Sequence, residues 1–314
     1  MTVATVKITL NGNEYNLTDQ GNGVWSTSIT APTASSGSNY ADGPGVGPNA
    51  TNGYYPAVVT VADTAGNVTT VDTSDATFGD TLKLAVLEKT APTGSITYPT
   101  QGAYVTNATP EFQFSFADAG SGIDPDECYI SIDNGTAVKA TVDQYTTGYA
   151  TVDCVYTPGS ALADGPHSIS VYCKDYDGNI STTYSASFTV DVTLPVLSVT
   201  SPVDNSYVNS TSVALTGTCS DATSGLARLT VAINGGSETE VTVTEGAFNT
   251  TITLVANQSN SIVVTVYDTA GNSNSVTRTV YVDTIAPTIS AITLTPNPAD
   301  GGATLTISVT VSDS

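Results

Sequence analysis

Candidate chemistry in this 314-residue chain is confined to carboxylates. Asp118, Asp124 and Asp126 lie close together, with Asp191 at the following joint, and Asp221 and Asp283 recur further on. Calcium takes six to eight oxygen ligands, some of them from backbone, and these six residues are its candidate ligands. Their spacing is not that of an EF-hand loop. The alternative use of the same residues is to cap their own turns, where Asp accepts backbone hydrogen bonds. The lone histidine, His167, follows a turn in Asp164-Gly165-Pro166 and reads as a strand-edge residue. No second histidine and no Cys-x-x-Cys pair offers a transition-metal site. Gly-x-Ser-x-Gly and a phosphate-binding glycine loop are absent as well. The sequence predicts no catalytic centre and no enzyme. Calcium is the one cofactor it leaves open.

The elements that would hold these carboxylates repeat along the chain. An acidic turn closing on Gly-Asn occurs three times, as Asp63-Thr64-Ala65-Gly66-Asn67, Asp175-Tyr176-Asp177-Gly178-Asn179 and Asp268-Thr269-Ala270-Gly271-Asn272. Alternating runs such as Ile262-Val263-Val264-Thr265-Val266 precede it, the pattern of a half-buried strand before a hairpin turn. Each unit opens on Thr90-Ala91-Pro92, Thr193-Leu194-Pro195 or Ile285-Ala286-Pro287. From that proline to the acid after the second strand is 26 positions in Pro92–Asp118, in Pro195–Asp221 and in Pro287–Asp313. At the other end, Asn11 to Trp25 is 14 positions, as is Asn234 to Phe248. The expected organisation is therefore uneven. Residues 1–89 form a domain lacking its first two strands, 90–192 and 193–284 form complete domains, and 285–314 form the first two strands of another.

Short strands separated by Gly, Pro, Asn and Asp turns, without helical periodicity, predict an all-β chain of tandem β-sandwiches. The Thr-Ala-Pro openings, the Asp-x-Ala-Gly-Asn turns and the Val282-Asp283-Thr284 closing resemble those of bacterial immunoglobulin-like repeats of the kind found in bacteriophage tail and virion proteins. That resemblance implies an immunoglobulin-like fold. It also implies a structural or adhesive role in a tail, fibre, baseplate or decoration protein, with other virion proteins as partners. A bacterial surface adhesin or filament subunit is the alternative, and a carbohydrate-binding module a third. One Trp gives the last little to build an aromatic platform from.

Composition narrows the partners. Seven basic residues against 29 acidic give a formal charge of −22, which phosphate would repel, so nucleic acid is excluded. No apolar run approaches a membrane span, and the N-terminus shows no leader. The expected location is a virion assembled in host cytoplasm, with the bacterial surface as the alternative. The four cysteines do not follow the antibody pattern of second and sixth strand. Buried reduced thiols are expected, with pairing among Cys128, Cys154 and Cys173 as the alternative.

Two regions are candidate interaction surfaces. Residues 35–53 are an insertion that the sister repeats lack, and long loops are often functional. Tyr40, Tyr54 and Tyr55 in or beside it suit a host glycan or a protein. At the other end, Ile289, Ile292, Leu294, Leu305, Ile307, Val309 and Val311 alternate along two strands without a domain of their own. An unpaired strand edge invites another chain. The two ends are thus expected to complement each other by strand donation between copies, giving a head-to-tail homo-oligomer.

Overall fold

A computed structural model of the chain describes residues 2–33 and 54–313. The chain divides into two compact units, Met1–Val190 and Asp191–Ser314. Among the described residues, regular structure is β-strand apart from short 3-10 turns, and the domains are immunoglobulin-like sandwiches.

The first unit opens on a half-domain. It contains β1 (Val3–Leu10), β2 (Asn13–Asn16), β3 (Thr18–Gly21), β4 (Val24–Ser26), β5 (Tyr55–Asp63), β6 (Val68–Val71) and β7 (Lys83–Leu84). One sheet runs β2-β1-β5-β6, with β7 also on β5, while β3 and β4 make a separate ribbon. Val6, Leu10 and Ala57 are buried on the sheet. Beyond β6 the chain makes an excursion absent from the sister repeats. The Asp75 carboxylate accepts the Thr77 and Phe78 amides, a 3-10 turn covers Gly79–Leu82, and β7 returns to pair with Tyr55 and Pro56.

The complete sandwich of this unit is built from β8 (Thr93–Tyr98), β9 (Ala103–Val105), β10 (Phe112–Ala117), β11 (Ile123–Ile132), β12 (Val138–Lys139), β13 (Thr141–Tyr145), β14 (Thr151–Tyr156), β15 (Gly165–Asp175) and β16 (Tyr184–Val190). Its sheets are β13-β14-β10-β8 and β12-β11-β15-β16-β9. Strand period 2 decides what is inside. Phe112, Phe114 and Phe116 are buried, while Gln113 and Ser115 between them face outward or stay half-covered. They meet Ile130, Ile169 and Val171 of the facing sheet, all fully buried. His167 sits on β15, where Nδ1 lies 2.7 Å from the Asp133 carboxylate and Nε2 2.7 Å from the Ala163 carbonyl. Burial opposes its charge, but the two oxygens outweigh it and hold the imidazole above its ordinary pKa.

The second unit repeats the plan. Its strands are β17 (Val196–Ser201), β18 (Ser206–Val208), β19 (Ser212–Ser220), β20 (Leu226–Ile233), β21 (Thr239–Val241), β22 (Val243–Thr244), β23 (Ala247–Thr253), β24 (Gln258–Asp268) and β25 (Ser273–Val282). They form sheets β17-β19-β23-β22 and β18-β25-β24-β20-β21. The hairpin β26 (Thr288–Thr295) and β27 (Thr306–Ser312) follows as its own two-stranded sheet. Every residue of that hairpin is exposed.

Gly217 on β19 has no room for a side chain. A Cβ there would lie 2.1 Å from the Ser198 carbonyl oxygen and 2.4 Å from the Phe248 ring. The cross-strand pair Gly217–Phe248 therefore uses the missing side chain to seat the ring. Gly217→Ala is expected to lower unfolding free energy by about 1–3 kcal/mol through overpacking. Chemical denaturation checks this, with a midpoint equal to that of the parent chain as the contrary result.

Candidate cation sites and an open sandwich

The acidic Gly-Asn turn folds the same way in all three copies. The Asp63 carboxylate accepts the Asn67 amide at 2.9 Å and its side-chain amide at 2.7 Å. Asp175 accepts the same two groups of Asn179 at 2.7 and 2.8 Å, and Asp268 those of Asn272 at 2.7 and 2.8 Å. The following glycines, Gly66, Gly178 and Gly271, all have positive φ. In both complete sandwiches this turn carboxylate meets two more.

Glu88, Asp118 and Asp175 are all buried, and each offers an oxygen within 4.8 Å of the others. Asp191, Asp221 and Asp268 make the equivalent group in the second unit. The contributors come from the same three places in each repeat. Glu88 and Asp191 stand four positions before the opening proline, Asp118 and Asp221 end the second strand, and Asp175 and Asp268 head the turn. Neutral donors hold them. Gly120 and Gly122 amides donate to Asp118 Oδ1, both at 2.9 Å, and Thr223, Ser224 and Gly225 amides donate to Asp221 Oδ1. The segment leading into each sandwich is tied down at the same spot. The Glu88 amide donates to Asp177 at 2.7 Å, the Thr90 amide donates to the Glu88 carboxylate, and Asn179 Nδ2 donates to the Glu88 carbonyl. In the second unit Ser224 donates to Asp191 Oδ2 and Asn272 Nδ2 to the Asp191 carbonyl.

Among the described residues, the ion pairs involve none of these six carboxylates. Two unit charges at such a separation repel by about 3 kcal/mol at an effective dielectric constant of about 20. Burial pushes Asp175 up to about 6, with Glu88 adding to the shift and the Asn179 hydrogen bonds opposing it. A hard divalent cation such as calcium would neutralise either trio, with backbone oxygens and water filling its coordination.

Of the six sequence candidates, Asp118, Asp191 and Asp221 thus enter these groups and three do not. Asp124 lies on β11, its Oδ1 accepting the Asp126 amide, and Asp126 stands 3.7 Å from Lys139. Asp283 accepts the Ile285 amide. Glu88, Asp175 and Asp268 went unnoticed because two of them read as turn residues. The acid four positions before each opening proline was the signal for the first. Tyr54 lies under the Lys83 ammonium, 5.3 Å from ring centroid to Nζ, and Tyr55 pairs with Leu84. Tyr40 and the insertion 35–53 lie outside the described residues. The seven apolar candidates of the C-terminal hairpin are 43–64% exposed.

The sheet of residues 1–89 is less fully covered than those of the complete sandwiches. Val264 and Val266 are fully buried in the complete sandwich, whereas Val59 and Val61, at the same positions before the turn, are half-buried. Phe248 is buried and its counterpart Trp25 is half-buried. An apolar hollow of about 360 Å³ is lined by Ile8, Leu10, Ile29, Ala57, Leu82 and Leu84 among others.

Comparison with known proteins finds two matching segments. Residues 7–80 match the family model described as bacterial Ig-like domain, and residues 195–284 match that of glucodextranase, domain B. By fold the chain is a series of immunoglobulin-like β-sandwiches. No curated protein matches it. Solved structures with similar folds include the fibronectin(III)-like modules of CbhA from Clostridium thermocellum, at 14% identity and a TM-score of 0.37, covering 61% of this chain and 95% of that one. A 1.5-MDa bacterial ice-binding adhesin matches at 22% identity and 0.33, covering 90% and 86%. A tetra-tandem repeat from the extending region of a large adhesion protein matches at 17% and 0.29, covering 98% and 79%. At these scores the likenesses carry no argument about function.

Millimolar calcium is expected to raise the melting temperature by about 4 °C or more. EDTA should reverse the gain, and Asp175→Asn with Asp268→Asn should shrink it. Scanning calorimetry reads this, and curves unchanged by calcium would contradict it. In chelator a pH effect should appear. The native Asp175 holds its proton up to about 6, whereas the unfolded carboxyl releases it near 3.8. The native state then binds more protons between those values, so stability falls as pH rises through the window. Asp175→Asn should flatten that slope.

Proposed function

We propose that the protein is a non-enzymatic structural and adhesion component of a phage particle, in its tail, fibre, baseplate or decoration. The observation that carries the structural part is the fixing of each complete sandwich at its base. The acid before the opening proline is buried and hydrogen-bonded to the turn of the sandwich that follows, in both copies. A chain that fixes the approach to each domain in this way behaves as a spacer, and a cation in either carboxylate trio would stiffen it further. Host glycan binding would fall to Tyr40, Tyr54 and Tyr55 beside the insertion.

The thiols support assembly in a reducing compartment over an oxidising one. Cys128, Cys154 and Cys173 share one sandwich core, all unbridged and buried. Cys128 and Cys173 face each other across β11 and β15. The neighbouring Cys154 and burial hold the Cys128 thiol far above its usual range, and burial pushes Cys173 up to about 12. Such thiols are inert in the folded state. A chain maturing in an oxidising compartment would expose three adjacent thiols to pairing while it folds.

Particles purified from lysed cells are expected to contain the chain, with all four cysteines alkylated after denaturation without reductant. Mass spectrometry of the banded particles reads both. Recovery on washed cell envelopes with a disulfide, and absence from particles, would support the surface adhesin instead.

A further inference from the structure

We propose that Asp133 and His167 form a proton-operated clamp in the first complete sandwich. Protonated, the imidazole fastens the segment 157–164, between β14 and β15, to the turn that follows β11. Deprotonated, it gives up one of those two holds. The clamp requires neither a cation in the carboxylate trios nor a particular location of the protein.

The geometry demands a charged ring. His167 Nδ1 lies 2.7 Å from Asp133 Oδ2, and Nε2 lies 2.7 Å from the Ala163 carbonyl oxygen. A carbonyl only accepts, and so does an ionised carboxylate. The two bonds together need two ring N–H groups, and only the imidazolium has both. A neutral ring sets one nitrogen lone pair against an oxygen. The ring is also confined. Its side chain is 11% exposed, and it stacks on Phe188, its cross-strand neighbour on β16, at 5.8 Å between centroids. Asp133 is held as well, its Oδ1 accepting the Ser168 amide at 2.8 Å.

The second unit builds the same clamp without a titratable group. Asn234 follows β20 as Asp133 follows β11, with φ of 52° against 50°. The Asn234 amide donates to the Ser261 carbonyl as the Asp133 amide does to the Ser168 carbonyl. The Ser261 amide donates back to Asn234 Oδ1 at 2.8 Å. Asn260 thus occupies on β24 the place of His167 on β15. Asn234 Nδ2 donates to Asn260 Oδ1 at 2.9 Å, and Asn260 Nδ2 to the Val255 carbonyl at 2.9 Å. Val255 lies between β23 and β24, in the counterpart of the segment that holds Ala163. A primary amide carries donor and acceptor together, so these bonds are satisfied at any pH. Both segments are pinned a second time in the same way. The Leu162 amide donates to the Ala108 carbonyl and the Leu254 amide to the Thr211 carbonyl, each at 2.8 Å.

Among the described residues, Asp133 is the charged group that pairs with the ring. The neighbouring elements also carry Asp164 on the held segment, Glu111 before β10, Tyr156 at the end of β14, Tyr184 on β16 and Tyr104 on β9. Lys139 on β12 pairs with Asp126. The balance is acidic and favours the protonated ring. Burial lowers the imidazole's pKa, but the Ala163 and Asp133 oxygens outweigh it and hold it above the ordinary 6.5. The clamp's contribution to stability is therefore complete below 6.5 and is lost as pH rises through the folded midpoint.

The test uses the full chain. His167 is its one histidine, so the ring protons report on this site alone. Proton NMR is expected to give a midpoint above 6.5, and Asp133→Asn should lower it. Amide exchange reads the clamp itself. Protection at Leu162, taken relative to Leu254 in the same molecule, should fall as pH rises through that midpoint. Asp133→Asn with His167→Asn copies the amide pair of the second unit and should make the ratio independent of pH. A midpoint at or below 6.5 overturns the proposal. So does a constant ratio in the parent chain, or a ratio in the double variant that falls as it does in the parent.

Discussion

A β-sheet with one apolar face must have that face covered, and this requirement organises the whole chain. The two complete sandwiches meet it internally. Phe112, Phe114 and Phe116 close over Ile130, Ile169 and Val171 in one, and Leu215 closes over Leu229, Ile262 and Val264 in the other. Residues 1–89 meet it less fully, with Val59 and Val61 half-buried, and fully burying a Val, Leu or Ile side chain stabilises by roughly 1.5–3 kcal/mol.

The carboxylates are a second consequence of the same plan. A sandwich brings the acid before its first strand, the acid after its second and the acid of its sixth-strand turn to one end. Three charges meet there because three chain segments converge, and the hydrogen bonds from Asn179 or Asn272 serve the turn first. Around Asp63 no such cluster occurs among the described residues. Asp63 keeps its Asn67 hydrogen bonds, which hold it below the usual carboxylate range.

Much of the fold was legible because strand alternation and the Asp-x-x-Gly-Asn turn are local signals. The 26- and 14-residue spacings align the repeated segments from side-chain identity alone. The cation groups were only half legible. Asp118, Asp191 and Asp221 stood out as acids at joints, but Asp175 and Asp268 had a complete local role in their turns, and nothing local showed that they also face a joint 87 or 77 positions earlier. Asp124 and Asp126 were misleading for the reverse reason, being close in sequence on β11 yet engaged with each other and with Lys139. The short parallel strands β9 and β18 carry only three residues each, too few to show a period. The 3-10 excursion around Gly79 had no sister copy to reveal it.

Amide hydrogen exchange of the parent chain tests most directly whether coverage of the apolar sheet faces organises the structure. The amides of β10, β15, β19 and β24 should be protected to the level of global unfolding, and those of β4 and β27 should exchange faster. Equal, rapid exchange in all of these strands would contradict the account.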